Sequence, residues 1–163
     1  MDKNNIQRLI TDYAVSNKDK IYRLAYSYVK NEDDALDIVQ ESIYKAMVSM
    51  NTVKDPSYIK TWFYRIIVNT SLDFLRKRKR EVLIEDENWE SLEPAREDQY
   101  PDLDLKKALD QLSDNCRTII VLRYFEGLKL EEIAVILDEN VNTVKTKLYK
   151  SLKKMNVTMS ESI

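Results

Sequence analysis

The 163-residue chain contains no histidine, one cysteine and one glycine; charged residues make up 33% and the net charge is −2. Without histidine there are no imidazole bases, Ser-His-Asp triads or histidine metal sites, and a lone Gly127 cannot form a Walker A loop or a dinucleotide fingerprint, where several glycines let backbone approach phosphate. A single Cys116 excludes an intramolecular disulfide and a Cys-rich zinc site, and the longest uncharged run, the eight residues Ala46 to Val53, falls far short of the ~20 apolar residues of a membrane span.

The polar start, Met1-Asp2-Lys3-Asn4-Asn5, lacks the apolar core of a signal peptide, so a cytoplasmic protein without membrane insertion is expected. The net charge hides an asymmetry. Residues 1–80 carry 15 Lys and Arg against 10 Asp and Glu, residues 81–102 one against nine, and residues 103–163 ten against nine. Two basic regions thus flank an acidic middle. Basic clusters favour polyanions and the acidic middle opposes them.

Few breakers interrupt the chain, and helical periodicity dominates. Ile21, Leu24, Ala25 and Tyr28 form one apolar stripe. A second follows at Leu36, Val39, Ile43, Ala46, Met47 and Met50. On that helix Asp34, Asp37 and Glu41 share a face at i, i+3 and i+7, with Asp33 and Gln40 close by. Charge alone leaves three readings of this face: a dock for a basic partner, a carboxylate cluster for Mg²⁺ in nuclease chemistry, or a solvated surface.

Asp55-Pro56 supplies an N-cap and a first-turn proline. A third stripe comes next, Ile59, Trp62, Phe63, Ile66, Ile67, Thr70 and Phe74, and ends in Arg76-Lys77-Arg78-Lys79-Arg80. The Trp62 and Phe63 rings are expected in the core. An adjacent face carries Thr61, Arg65, Asn69 and Arg76, with Lys60 and Tyr64 beside it. Cations, an amide and an aromatic suit single-stranded DNA, which offers a charged backbone and unstacked bases.

Residues 81–102 lose the period, contain Pro94 and Pro101, and read as an extended acidic linker. Helical pattern returns at Lys106. Ser113 can cap a helix ending at Gly127, and Cys116 is expected to be a small buried hydrophobe. Leu130, Ile133, Ala134 and Leu137 then predict one short helix, and Val141, Val144, Leu148 and Leu152 another, separated by Asp138-Glu139-Asn140. This is helix-turn-helix spacing, in which the second helix enters the major groove. Val141, Val144 and Leu148 would pin that helix to the core. Lys145, Thr146, Lys147, Tyr149 and Lys150 would project toward DNA, where lysines meet phosphates and Lys or Thr meets base edges. The fold class is all-α: helical domains at 1–80 and 103–163, joined by the linker 81–102.

Three ordered blocks resemble the extracytoplasmic-function sigma factors of the sigma-70 family. Tyr22-Arg23-Leu24-Ala25-Tyr26 with Asp34-Ala35-Leu36-Asp37-Ile38-Val39-Gln40-Glu41 is similar to the family's region 2.1–2.2. Thr61-Trp62-Phe63-Tyr64-Arg65-Ile66, Asn69 and Leu72-Asp73-Phe74-Leu75-Arg76 resemble region 2.3–2.4. Leu122-Arg123-Tyr124-Phe125-Glu126-Gly127-Leu128, Glu131-Glu132-Ile133-Ala134 and Thr143-Val144-Lys145-Thr146-Lys147-Leu148 resemble region 4. The N-terminal half is most similar in wording to sigma-V-like members from low-GC Gram-positive bacteria.

The resemblance implies a non-catalytic specificity subunit of RNA polymerase, with no cofactor and no metal. It implies that Asp34, Asp37, Gln40 and Glu41 meet the β′ clamp helices of the core enzyme, which also offers its β flap. Lys60, Tyr64, Arg65, Asn69 and Arg76 would meet the unpaired −10 strand, with residues 51–58 as a loop near a flipped base. Lys145, Thr146, Lys147, Tyr149 and Lys150 would face the −35 major groove. The linker would thread toward the active-site cleft and RNA exit path, and an anti-sigma factor, often membrane-anchored, would mask the polymerase surfaces in an envelope stress response. The chain departs from the family pattern at Asp138, where a turn glycine is common, at Asn142, at Lys129 in place of a Ser or Thr cap, and in lysines that replace recognition-helix arginines. Lysine gives weaker planar recognition of bases. Rivals to this reading are an autonomous helix-turn-helix regulator, a carboxylate-metal nuclease and a helical adaptor.

Overall fold

A computed structural model describes residues 3–84 and 103–161. Among them there is no strand. Eight α-helices follow in chain order: α1 Lys3–Ser16, α2 Lys18–Val29, α3 Glu32–Val48, α4 Ile59–Ile84, α5 Leu103–Asp110, α6 Asp114–Ile120, α7 Leu130–Leu137 and α8 Val141–Glu161. The fold divides into two compact units, residues 1–91 and 92–163. Of the expected linker, residues 81–84 instead continue α4. Lys and Arg are good helix formers, so the run Arg76 to Arg80 extends the helix rather than ending it. The rest of the linker lies outside the described residues.

In the first unit α2, α3 and α4 pack on one another and α1 lies against them. They meet at Ile10, Leu24, Ala25, Ile38, Phe63, Ile67 and Val68, all fully buried, and on α3 this corrects the expected stripe: Ala35, Ile38, Ser42 and Ala46 face inward while Leu36 is 45% exposed. Phe63 is the largest of these, and Tyr13 tilts against it at 5.7 Å between ring centroids. Burying such a side chain stabilises the fold by about 1.5–3 kcal/mol. Small residues let the helices approach, Ala35 and Ser42 on α3 and Ser71 on α4.

Tight caps set the helix directions. Lys30 ends α2 in the left-handed region (φ 55°), its N–H donating to the Tyr26 carbonyl. Asn31 then caps α3 by accepting from the Asp34 N–H at 3.0 Å. Glu32, Asp33 and Asp34 occupy the first turn of α3, where negative charge complements the helix dipole. Asp55 and Pro56 do form the anticipated cap, with Oδ1 accepting from the Ser57 N–H at 3.0 Å. They open a short 3₁₀ turn, Pro56–Tyr58, ahead of α4.

In the second unit α8 packs on α5, α6 and α7. Ser113 caps α6, accepting from the N–H of Cys116 at 3.2 Å; the Cys116 side chain is half-buried rather than core. After Ile120 the chain widens into one π turn, Val121–Phe125. Gly127 reverses it at φ 68°, and the Leu128 N–H returns to the Leu122 carbonyl. Arg123 Nη1 donates to the Leu128 carbonyl at 3.0 Å and holds the reversal shut.

α7 and α8 make the helix-turn-helix. Lysine has no acceptor to cap α7, so only the reciprocal half of a capping box forms: Glu132 takes the Lys129 N–H at 2.9 Å. Asp138 sits in the left-handed region (φ 54°, ψ 46°). The Glu139 N–H donates to the Ala134 carbonyl and the Asp138 N–H to the Val135 carbonyl, which is a Schellman closure. Asn140 caps α8, accepting from the Asn142 N–H at 2.8 Å. The turn thus keeps its geometry without glycine, at a cost: Asp138 places a Cβ in a disfavoured region and a negative charge at a helix C-terminus. Asp138→Gly is expected to stabilise this unit by about 0.5–1 kcal/mol. Amide exchange of buried α7 and α8 positions in the full chain should slow by about two- to fivefold; unchanged exchange would show that Asp138 carries no strain.

Candidate nucleic-acid and protein interfaces

On α3 the sequence-predicted acids take two different environments. Asp37, Gln40 and Glu41 are exposed. Asp34 is half-buried and faces Arg78 of α4 at 3.7 Å. Glu41 pairs with Lys45 one turn along at 3.5 Å, and Lys45 Nζ also donates to the buried Thr70 hydroxyl at 3.3 Å. A groove of about 520 Å³ runs between α3 and α4. Asp34, Asp37 and Glu41 contribute from α3, and Asp73, Lys77, Arg78 and Glu81 supply the charges from α4. The face is therefore an acidic ridge on α3 beside an edge of α4 that carries both signs of charge. Among the described residues no three acidic or thiol side chains converge to hold a metal ion. Lys77 and Arg78 in this groove, and Lys45 beside Glu41, are additions to the expected residues; Lys45 is legible as the i+4 partner of Glu41, whereas Arg78 needs the packing of α4 on α3.

On α4, Lys60, Arg65, Asn69 and Arg76 are exposed, as their spacing predicts. Arg76 pairs with Asp73 at 2.8 Å on the surface. Tyr64 is a correction: its ring is 3% exposed, so it belongs to the core rather than to a DNA-facing surface. Ile67 and Val68, three and four residues on, are fully buried, and Tyr64 shares their face. Trp62, expected in the core with Phe63, is only half-buried, and its ring meets Phe63 edge-on.

On α8, Lys145, Thr146, Tyr149 and Lys150 are exposed, while Val144, Leu148, Ser151 and Met155 face inward. The Thr146 hydroxyl donates to the Asn142 carbonyl at 3.0 Å, which leaves its lone pairs as acceptors. Lys147 is the second correction. Its ammonium donates to Asn115 Oδ1 at 3.0 Å and to Glu139 Oε1, so it ties α8 to α6 and to the turn instead of projecting outward. Position 147 flanks the buried stripe, three residues after Val144 and four before Ser151, which explains its half-burial. Val141, expected to pin the helix, is 36% exposed at its first turn. Asn142 and Thr143 are exposed beside it. Sequence reasoning passed over these two, although the first residues of a second helix are the ones that reach base edges.

Comparison with known proteins bears on these surfaces. Residues 14–81 match the family described as Sigma-70 region 2, and residues 102–155 match Sigma-70, region 4. The RNA polymerase sigma factor SigV of Bacillus subtilis (strain 168) is 53% identical over 159 residues, covering 98% of this chain and 96% of that protein. The chain is an extracytoplasmic-function (ECF) sigma factor. A second relative, the ECF RNA polymerase sigma factor SigW of the same organism, is 34% identical over 91% of this chain and 87% of its own. Among solved structures, the sigma factor RpoE in complex with the anti-sigma factor NepR from Bartonella quintana superposes with a TM-score of 0.75 at 25% identity, covering 92% of this chain and 96% of that one. CnrH, solved with the cytosolic domain of CnrY, shares the fold at a TM-score of 0.70 and 20% identity, over 96% of this chain and 91% of its own. The acidic ridge and the exposed α4 face thus lie in region 2 of this sigma factor, and the helix-turn-helix lies in region 4. No described helix is long and apolar enough to cross a membrane.

Proposed function

We propose that this ECF sigma factor acts as a non-catalytic, cytoplasmic specificity subunit that docks on core RNA polymerase and directs it to −10 and −35 promoter elements. One observation carries the reading: a single chain joins an exposed acidic ridge, an exposed Arg65–Asn69 face and a helix-turn-helix whose outward residues are basic. Asp37, Gln40 and Glu41, with Asp34 at their margin, would meet the basic side of the β′ clamp helices. Arg65, Asn69, Lys60 and Arg76 would hold the unpaired −10 strand, where charge and hydrogen-bonding groups meet an open backbone and free bases. Lys145, Thr146, Tyr149 and Lys150 would face the −35 major groove, with region 4 carried on the β flap. Binding unstacked bases offsets the cost of opening them, a few kcal/mol per base.

The anti-sigma factor NepR bound to the structural relative RpoE supports a similar partner here, one that covers the polymerase-facing surfaces until an envelope stress releases them. Transcription by purified core polymerase over a pool of promoter fragments, with and without this chain, tests the proposal. New start sites sharing −35 and −10 elements are expected. Absence of new starts together with absence of core binding on a native gel would leave an autonomous DNA-binding protein.

A further inference from the structure

The segment between α3 and α4 is held at two points and otherwise open. Ser49 ends α3, and its carbonyl accepts both the Thr52 N–H at 2.9 Å and the Thr52 hydroxyl at 2.7 Å. The same hydroxyl accepts from the Trp62 indole N–H at 3.1 Å. A single threonine oxygen thus uses its donor toward the end of α3 and an acceptor site toward the first turn of α4. Next to it Val53 is 5% exposed and plugs the chain into the core. From Lys54 to Tyr58 the residues are exposed, shaped by the Asp55 cap and by the Tyr58 N–H returning to the Asp55 carbonyl at 3.0 Å. The Tyr58 ring is 62% exposed, with Lys54 and Lys60 on either side in sequence.

We infer that Trp62, through its N–H and the Thr52 hydroxyl, is a positioning residue that fixes this segment in the shape that receives an unstacked promoter base on Tyr58. The inference rests on the promoter-recognition reading above and assigns within it a residue otherwise counted as core. The indole N–H is spent on Thr52, and Trp62 is partly buried. Tyr58, by contrast, is 62% exposed, with Lys54 and Lys60 near it in sequence, and an open ring with nearby cations is the composition a single strand selects. A base platform discriminates only when it is preorganised; a segment free to swing accepts any base. The hydroxyl is suited to this because its rotor is locked at both ends.

The test uses holoenzyme assembled from core polymerase and the full chain, on a promoter set with single-base changes across the −10 element, read as open-complex formation. Thr52→Val keeps the shape and removes both hydroxyl bonds; Trp62→Phe keeps a ring and removes the N–H. Each is expected to flatten the preference at one −10 position by about three- to tenfold, the range of one hydrogen bond. The double variant should lose no more than either alone, core affinity should hold, and Thr52→Ser should restore discrimination. If the wild-type chain has a −10 preference that Thr52→Val keeps, the inference fails alone. If Trp62→Phe loses preference while Thr52→Val does not, the ring and not its N–H matters, which also overturns it. A wild-type holoenzyme with no −10 preference overturns the parent reading and this inference with it.

Discussion

Replacing Lys145 and Lys150 together by alanine is expected to lower the salt dependence of −35 recognition by a slope of about 1.8, while Lys147→Ala leaves it unchanged. Each lysine on a phosphate releases counterions worth about 0.9 in the slope of log affinity against log salt. Lys145 and Lys150 are exposed on α8, whereas Lys147 is held by Asn115 and Glu139. The advantage that the two exposed lysines confer is then about tenfold larger at 50 mM salt than at 200 mM. Lys147→Ala acts on stability instead. It removes the cation from a half-buried Glu139 whose Oε2 is already buried without a protein partner. An uncompensated carboxylate of this kind costs about 1–3 kcal/mol, visible as faster amide exchange in α8. Binding of holoenzyme to a −35 duplex at several salt concentrations separates the cases. A slope that falls by about 0.9 in Lys147→Ala would mean that this side chain leaves its internal partners on DNA.

The difference between neighbouring lysines also marks where sequence reasoning reaches its limit. Period and caps carry far: the stripes of α2 and α4, the Asp55-Pro56 start, the Ser113 cap and the two helices about Asp138-Glu139-Asn140 follow from local rules, whereas α3 buries Ala35, Ile38, Ser42 and Ala46 rather than the face of Leu36, Val39 and Ile43, and α8 runs on to Glu161. Tyr64 was readable from the same rules, because Ile67 and Val68 stand one turn ahead of it on the buried face. Its hydroxyl and its neighbours Lys60 and Arg65 suggest a DNA-facing position instead. Lys147 is different in kind. Its flank position hints at half-burial, but its partners Asn115 and Glu139 come from α6 and the turn, and only packing brings them together. Arg78 against Asp34 and Trp62 against Thr52 are likewise products of tertiary contact. The end of α4 was misplaced for a propensity reason: five consecutive Lys and Arg residues look like a boundary but favour helix, and α4 runs on to Ile84.

The largest effect on assembly is expected from reversing the charge of the α3 ridge. The double change Asp37→Lys with Glu41→Lys should weaken core polymerase binding by more than about 30-fold, since like charges brought together across an interface cost several kcal/mol. These two positions isolate docking from folding. Both are exposed, and both lie beyond the first turn of α3, where Glu32, Asp33 and Asp34 already satisfy the helix dipole. Asp34 would be a poorer choice, because it is half-buried against Arg78 and its reversal would disturb α4. The internal penalties are Glu41→Lys beside Lys45, a like-charge pair one turn apart that costs about 0.2–0.5 kcal/mol, and the new cations in the groove shared with Lys77 and Arg78, which solvent screens. The loss should fall mainly on association, because an acidic ridge steers a basic partner before contact, and should shrink as salt is added. Asp37→Glu should retain affinity, and the −35 duplex should still be bound with the wild-type salt slope by any complex that does form. Core affinity that survives the double reversal would remove the ridge from the docking surface and move attention to the Lys77 and Arg78 side of the groove.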